Sequence, residues 1–195
     1  MPLNGLVLRS KEWKRLAWIK MLKTQAPPLS AATGASDLDA VLFREGMSRV
    51  VGAVHVVTTD GPSGRAGFTA TAVTPVTDSP ASLLVCVNTA SRSAQALLAN
   101  RTFCVNTLGA DDLALADVFA GRTELQGQER FTVGQWEKLA TGAPSLTTSV
   151  VSFDCRLSDA RVVATHHVII GEIVGVRLGE QKPVLVYQGR LYREL

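Results

Sequence analysis

Hydroxyl side chains cluster in two segments of this sequence, where they could bind a phosphorylated ligand. The first segment, residues 54–73, reads VHVVTTDGPSGRAGFTATAV. Its glycines and proline at residues 60–64 supply the dihedrals of a reversing chain, so the pattern predicts a hairpin. In the second strand of that hairpin, period-2 geometry places Thr69, Thr71 and Val73 on one face. Threonine also favours half-buried strands for packing alone, and both interpretations stay open here.

The second segment, residues 87–93, reads VNTASRS. It is typical of a strand that ends in a polar turn before a helix. Hydroxyls, the Arg92 guanidinium and the N–H groups of the helix start all donate to phosphate. Ser91 could equally be an ordinary helix N-cap.

Other site chemistries find little support in the sequence. No G-x-S-x-G motif occurs, and the adjacent His166 and His167 would point to opposite faces of a strand. His55 stands apart from both, and no cysteine lies near enough in sequence to complete a metal site. A pocket of hydroxyls, backbone amides and small side chains suits a cofactor that brings its own chemistry.

Composition predicts one folded domain with an extension. The chain has 195 residues, of which 46% are hydrophobic and 19% charged. We expect a cytoplasmic protein, because no apolar run approaches the roughly 20 residues of a membrane span and no signal peptide is evident. Cys86, Cys104 and Cys155 lie far apart in apolar runs, which predicts buried, reduced thiols.

The first 36 residues are predicted to be a basic, disordered extension and linker before a domain over 37–195. Residues 1–25 contain six Lys or Arg but one acidic residue, Glu12. Their apolar spacing also fits an amphipathic helix that touches a surface or membrane, and both alternatives remain open. Pro27, Pro28 and small residues up to Ser36 indicate the linker.

Local patterns predict a mainly β fold. Helices are expected at 38–50, capped by Asp37, at 92–99, and from Asp111 or Asp112 to just before Gly121. An irregular stretch at 122–144 would be anchored by Phe131 and Trp136. Strands are expected near 53–59, 65–74, 82–88, 102–107, 148–158, 160–164, 166–178 and 183–193. Such short strands favour a barrel or sandwich, and the spacing of Gly61, Gly64 and Gly67 is not a dinucleotide fingerprint.

Several stretches together resemble one known family. They are FREGMSRVVGAVHVVTTDGPSGRAGFTATAVTPVTDSPASLLVCVN, NRTFCVNTL, LADVFAG, VSFDCRL and THHVIIGEI. The chain is similar, over residues 43–191, to the flavin reductases of the FMN-binding split-barrel fold. These are the small partner components of two-component flavin monooxygenases. Within the family, TTDGPSGRAGFTA and VSFDCR are most similar to reductases of pyrimidine utilisation (the Rut pathway), with those of 4-hydroxyphenylacetate hydroxylation nearly as similar.

The resemblance implies a six-stranded antiparallel Greek-key split barrel with peripheral helices, forming a homodimer with flavin near the subunit interface. It implies reduction of FMN (FAD possible) by NADH (NADPH possible), with no strictly required catalytic side chain, no metal and no nucleic-acid partner. Reduced flavin would pass to a separate monooxygenase that degrades uracil.

The resemblance also implies site residues. Thr58 and Thr59 would lie by the isoalloxazine, which Thr69, Ala70, Thr71 and Ala72 would line. Asn88, Ser91, Arg92 and Ser93 would hold the phosphate, Phe119 and Arg122 would close the pocket, and His166 and Glu172 would bind nicotinamide. The G-D-H motif of the family is altered here to Ala164, Thr165 and His166.

Three alternatives remain open on the sequence. One is the reductase of 4-hydroxyphenylacetate 3-monooxygenase. Another is a corrin reductase that acts on cob(II)yrinic acid a,c-diamide. The third is a flavin-binding sensor without turnover, with a tail that touches nucleic acid or membrane.

Overall fold

Short β-branched runs separated by turn residues form most of the described chain. The computed structural model describes residues 40–195, so the predicted extension, its linker and the Asp37 cap lie outside the described residues. The strands are β1 (Gly52–Ala53), β2 (His55–Thr59), β3 (Ala66–Ala70), β4 (Val73–Asp78), β5 (Ala81–Asn88), β6 (Thr102–Thr107), β7 (Trp136–Lys138), β8 (Pro144–Leu146), β9 (Val151–Val163), β10 (His166–Leu178), β11 (Leu185–Gln188) and β12 (Leu191–Glu194). The helices are α1 (Ala40–Ser48), α2 (Arg92–Asn100) and α3 (Leu113–Phe119), with 3₁₀ turns at Ala110–Asp112 and Gly127–Thr132.

One antiparallel sheet in the order β3-β2-β6-β9-β10-β5-β4 forms the body of the fold. Its two edge strands, β3 and β4, are consecutive in sequence, so the sheet curves until its edges are joined through Thr71 and Ala72. The Cys86 amide donates to the Ala72 carbonyl at 3.0 Å at this junction. Counted as one interrupted strand, β3 and β4 make the sheet six-stranded, and the predicted split barrel is confirmed.

The prediction of one strand over 65–74 is wrong in a way that matters for the site. β3 pairs with β2, whereas β4 pairs with β5, and the chain bends between them. The strict alternation that put Thr69 and Thr71 on one face therefore stops at Ala70.

Two apolar clusters hold the barrel and its helices. The barrel interior is filled by side chains that include Val57, Phe103 and Ile169, and α2 packs onto it through Ala94 and Leu97. The second cluster joins α3 to the barrel end. Burying each large side chain of this kind contributes about 1.5–3 kcal/mol, so these contacts rather than turn chemistry fix where α2 and α3 sit.

Other boundaries differ from the predictions in detail. β9 runs unbroken where two strands were expected, because its pairing with β10 continues through the position of the expected turn. Residues 183–193 form two strands, since Gly189 and Arg190 both adopt positive φ and reverse the chain. The stretch 122–144 is less irregular than predicted, since it contains a 3₁₀ turn and β7; its expected anchors Phe131 and Trp136 do pack together, with their rings 5.1 Å apart.

The cysteines follow the prediction with one exception. Cys104 and Cys155 are free and buried, and burial raises the pKa of the Cys104 thiol to about 12, so it stays protonated. Cys86 is free but only half-buried. Among residues 40–195, no helix is long and apolar enough to cross a membrane.

Candidate functional site

Two cavities meet beside the junction of β3 and β4. The smaller has a volume of about 410 Å³ and the larger about 910 Å³. Ser91, Ser93 and Arg130 line both cavities, so the two are parts of one cleft. We refer to them together as the cleft.

The smaller cavity brings together residues that lie far apart in the sequence. Its walls come from residues 68–72 at the end of β3, residues 86–88 at the end of β5, and His166 at the start of β10. The antiparallel pairing of β10 with β5 places His166 opposite Asn88. Sheet register therefore accounts for a contact across 78 positions of sequence.

The hydroxyls of the predicted threonine ladder have separate roles. Thr69 Oγ1 donates to the Ala116 carbonyl at 2.7 Å, which ties β3 to α3. Thr71 lies exposed in the bend after β3. Residues 69–72 all line the smaller cavity, with Ala70 and Ala72 as its small-residue wall.

Four residues of the polar turn line the cleft, namely Asn88, Ser91, Arg92 and Ser93. The Asn88 side-chain oxygen accepts from the Ala90 amide at 2.8 Å, and Ser91 Oγ accepts from the Ala94 amide at 3.3 Å. Ser91 is thus the N-cap of α2 as well as a cleft residue. Ser93 Oγ donates to the Gly67 carbonyl at 2.9 Å, while Arg92 is exposed in the larger cavity.

The turn that precedes His166 is bonded to the polar turn. The Thr165 carbonyl accepts from the Thr89 amide at 3.0 Å and from the Thr89 hydroxyl at 3.2 Å. Thr165 Oγ1 then lies 2.9 Å from Nδ1 of His166. Because Nδ1 faces the hydroxyl, Nε2 of His166 remains for another partner. Ala164 completes this tight turn with φ of 51°.

Aromatic packing forms the wall at α3. Phe119 lines the smaller cavity but is only 2% exposed. Its ring packs edge-on against Phe131 at 5.1 Å and Trp136 at 5.6 Å. Arg65 lies over Phe131 and pairs with Asp60 at 3.1 Å, which fixes the outer side of this cluster.

Four of the sequence-derived site residues lie elsewhere. Thr58 and Thr59 are 0% and 1% exposed, and their hydroxyls donate to the Pro144 and Thr102 carbonyls at 2.5 and 2.6 Å. Both are therefore buried away from the cleft lining, with Thr58 on the face of β2 opposite to that of Val57. Their hydroxyl hydrogens are already donated to backbone carbonyls of other segments, and a sequence pattern does not reveal such contacts.

The other two are Arg122 and Glu172. Arg122 pairs with Asp117 at 3.0 Å and stacks over Tyr192 at 5.1 Å, away from the cleft lining. Glu172 lies on β10 opposite Ser82 and Arg156. It follows His166 by six residues on the same strand, a separation of about 20 Å at roughly 3.3 Å per residue. The structure does not bring His166 and Glu172 together.

Arg130 and Cys86 are among the cleft residues that sequence reasoning missed. Arg130 lies in the 3₁₀ turn Gly127–Thr132, in which the Glu129 side chain accepts from the Gln126 amide at 3.2 Å. The Gln126-x-x-Glu129 spacing is a capping pattern, and it signals local order in a stretch that otherwise reads as irregular. No comparable signal marks Cys86, whose strand neighbours are apolar.

Charged groups that could hold a metal are not gathered at the cleft. Across the described part of the chain, no three His, Cys, Asp or Glu side chains come close enough to form a metal site. The cleft instead offers the Arg92 and Arg130 guanidinium groups, several hydroxyls and amides and the His166 imidazole around apolar walls, with Glu129 as its carboxylate. This donor set matches an anionic ligand with a flat aromatic portion.

Comparison with known proteins finds relatives that are named as flavin reductases. Residues 47–195 match the family model described as "Flavin reductase like domain". A protein of Methylorubrum extorquens strain DM4, named FMN reductase (NADH) RutF, is 48% identical over 163 residues, which cover 84% of this chain and 78% of that protein. A protein of the same name from Pseudomonas syringae pv. syringae B728a is 44% identical over 172 residues, which cover 86% and 96% of the two chains.

Solved structures of similar fold include BorF, the flavin reductase component of a bacterial two-component tryptophan halogenase. It is 29% identical with a TM-score of 0.75, and the match covers 80% of this chain and 98% of BorF. The NADH:FAD oxidoreductase SgcE6 of Streptomyces globisporus is 26% identical with a TM-score of 0.75, and the match covers 84% of this chain and 97% of SgcE6.

Proposed function

The chain belongs to the family of flavin reductase like domains, and from that membership we propose that it is an NADH-dependent FMN reductase serving a separate flavin monooxygenase. The relatives named FMN reductase (NADH) RutF cover most of the chain at 44–49% identity. Their name supports a pyrimidine-degrading oxygenase as the recipient of the reduced flavin.

The observation that carries the proposal is the meeting of three segments at one cleft. It is lined by residues 69–72, by Asn88 with residues 91–93, and by His166. Small residues 70 and 72 leave room for a flat ring, and Arg92 and Arg130 supply positive charge for a phosphate. The donors and the walls present therefore fit FMN.

The residues of the chain itself would bind the flavin and orient it towards the nicotinamide ring. Ala70, Ala72 and Phe119 form an apolar wall that excludes water from a ring placed against it. Asn88, Ser91 and Arg92 present donors for the phosphate, and His166, the register partner of Asn88, is the proposed nicotinamide contact. FMN, when bound, supplies the redox chemistry by accepting a hydride from NADH. Holding the two rings in contact geometry is then the contribution of the protein, and no side chain has to transfer a proton.

We extend the proposal to the assembly. A homodimer with flavin near the subunit interface fits the family resemblance, and light scattering of the purified full chain measures it directly.

The direct test is oxidation of NADH by the purified chain with FMN, FAD and riboflavin supplied in turn. Steady turnover with FMN in excess supports a reductase. Binding of flavin without NADH consumption would overturn the activity and favour a flavin-binding sensor. Pairing the chain with a uracil-cleaving oxygenase, with NADH and FMN supplied, then tests the recipient by loss of uracil.

A further inference from the structure

We propose that Arg130 is a phosphate-binding residue of the cleft and determines its preference for FMN over riboflavin. This inference rests on the proposed function. Arg130 comes from the 3₁₀ turn at residues 127–132, an element separate from the α2 turn that holds the other phosphate donors. It lines both cavities, together with Ser91 and Ser93.

The hydrogens available at the cleft support this assignment. A phosphate oxygen accepts hydrogen bonds, so each contact must bring a hydrogen. Ser93 donates its one hydroxyl hydrogen to the Gly67 carbonyl at 2.9 Å. Ser91 accepts from the Ala94 amide and keeps its own hydrogen, and Asn88 keeps its side-chain NH₂ because its oxygen takes the Ala90 amide. Ser93 is thus the weakest donor of the four residues expected to hold phosphate.

Arg130 has the hydrogens that Ser93 lacks. Its Nε donates to the Leu125 carbonyl at 3.3 Å, and within residues 40–195 this is the one hydrogen bond of its guanidinium. The terminal nitrogens are left for a ligand. Gly121, at φ of 73°, keeps space beside them, since a Cβ there would lie 3.3 Å from Nη2 of Arg130.

The position of the phosphate follows from the surrounding charges. The larger cavity is lined by both Arg92, which attracts an anion, and Glu129, which opposes it. Arg130 and Ser91 are on the wall that both cavities share, which favours a phosphate at the junction. A flavin ring in the smaller cavity would then reach the phosphate at the junction through its ribityl chain.

The experiment compares equilibrium binding of FMN and of riboflavin, read by quenching of flavin fluorescence. Arg130→Gln should weaken FMN binding about 10- to 100-fold, the effect of losing a charge-assisted contact, and leave riboflavin binding within about twofold. Arg130→Lys keeps the charge and should recover part of the FMN affinity. Arg49→Gln, at an exposed arginine directly after α1 and with the same charge change, is the matched control and should alter neither affinity.

Ser93→Ala shows how the loss of a structural hydrogen bond affects the binding of FMN and riboflavin, in contrast to the loss of a phosphate contact. Loss of its bond to Gly67 should weaken FMN and riboflavin alike. If Arg130→Gln also lowered both affinities equally, or left FMN binding unchanged, the proposal would be overturned. If the wild-type protein bound riboflavin as tightly as FMN, the phosphate site would be refuted even where NADH turnover shows a working reductase.

Discussion

Gly67 lies directly beneath the ring of Phe119. A Cβ built at Gly67 would be 2.7 Å from Cε1 of Phe119 and 3.1 Å from the Val57 carbonyl oxygen. The ring cannot easily retreat, because Phe131 and Trp136 pack against it. The close approach of strand β3 to this ring therefore sets the position of the cleft wall.

Gly67→Ala tests that relationship. We expect the methyl group to displace Phe119 or β3, lowering stability by about 1–3 kcal/mol and weakening FMN binding at least tenfold. Urea unfolding and flavin titration measure the two effects. Gly46→Ala is the control, since nothing lies within 4 Å of a Cβ there and the site is in helix α1; it should be neutral or slightly stabilising. Wild-type FMN affinity in Gly67→Ala would contradict the role given to this contact.

His166→Ala should raise the Michaelis constant for NADH about 3- to 10-fold and leave FMN affinity nearly unchanged. The reason is that His166 lines only the smaller cavity, whereas Arg92 lines the larger one and Arg130 the wall that both share. Steady-state kinetics with varied NADH, beside an FMN titration, make the comparison. A collapse of FMN affinity would show that the division of the cleft is wrong.

Thr165→Val asks whether the hydroxyl 2.9 Å from Nδ1 orients that imidazole. We expect the same direction of change as in His166→Ala but a smaller one, because the ring stays in place and loses its preferred orientation. Thr165→Ser retains the hydroxyl and should behave like the wild type. Equal kinetics in the valine and serine variants would remove the orienting role.

Thr58→Val should destabilise the fold without altering flavin binding by the folded protein. Thr58 Oγ1 donates towards the Pro144 carbonyl and accepts from the Asn106 amide at 3.2 Å. Valine has the same shape but leaves these buried groups unpaired, at a cost of about 1–3 kcal/mol. The readouts are urea unfolding and FMN titration at a temperature where both proteins are folded. Selective loss of FMN binding would instead place Thr58 at the cleft.

His55 should make the fold less stable at mildly acidic pH. Burial lowers the pKa of His55 from 6.5 to about 4, and its Nδ1 lies 3.1 Å from the Thr107 hydroxyl. Between pH 6.5 and 4 the unfolded chain binds a proton that the folded chain excludes, so the free energy of unfolding falls as pH falls through this window. At pH 5 the loss is about 2 kcal/mol relative to pH 7.5.

The His55→Asn variant isolates this contribution, because Asn offers an amide near Nδ1 and does not titrate. The difference in unfolding free energy between pH 7.5 and pH 5 should be smaller in the variant by about the same amount. An unchanged difference would assign the pH dependence to other groups.

Local sequence was sufficient for much of this fold. Turn residues at 60–64, β-branched runs and the N-cap Ser91 predicted β2, β5, β6 and α2 close to their observed bounds, because these features act over a few neighbouring residues. The family resemblance, which runs along the chain in order, predicted that these strands form a barrel. No single motif indicates that arrangement.

The sequence by itself singled out residues 69–72 and 88–93 as ligand-binding segments, because hydroxyl and small side chains are concentrated there and the family resemblance covers them. Only the tertiary structure decided which hydroxyls are free to bind one. Thr58, Thr59, Thr69 and Ser93 donate to carbonyls 26 to 86 positions away, and such pairings depend on strand register and helix docking. For the same reason Arg130, in an irregular stretch, joins the cleft, whereas Arg122 pairs with Asp117 outside it.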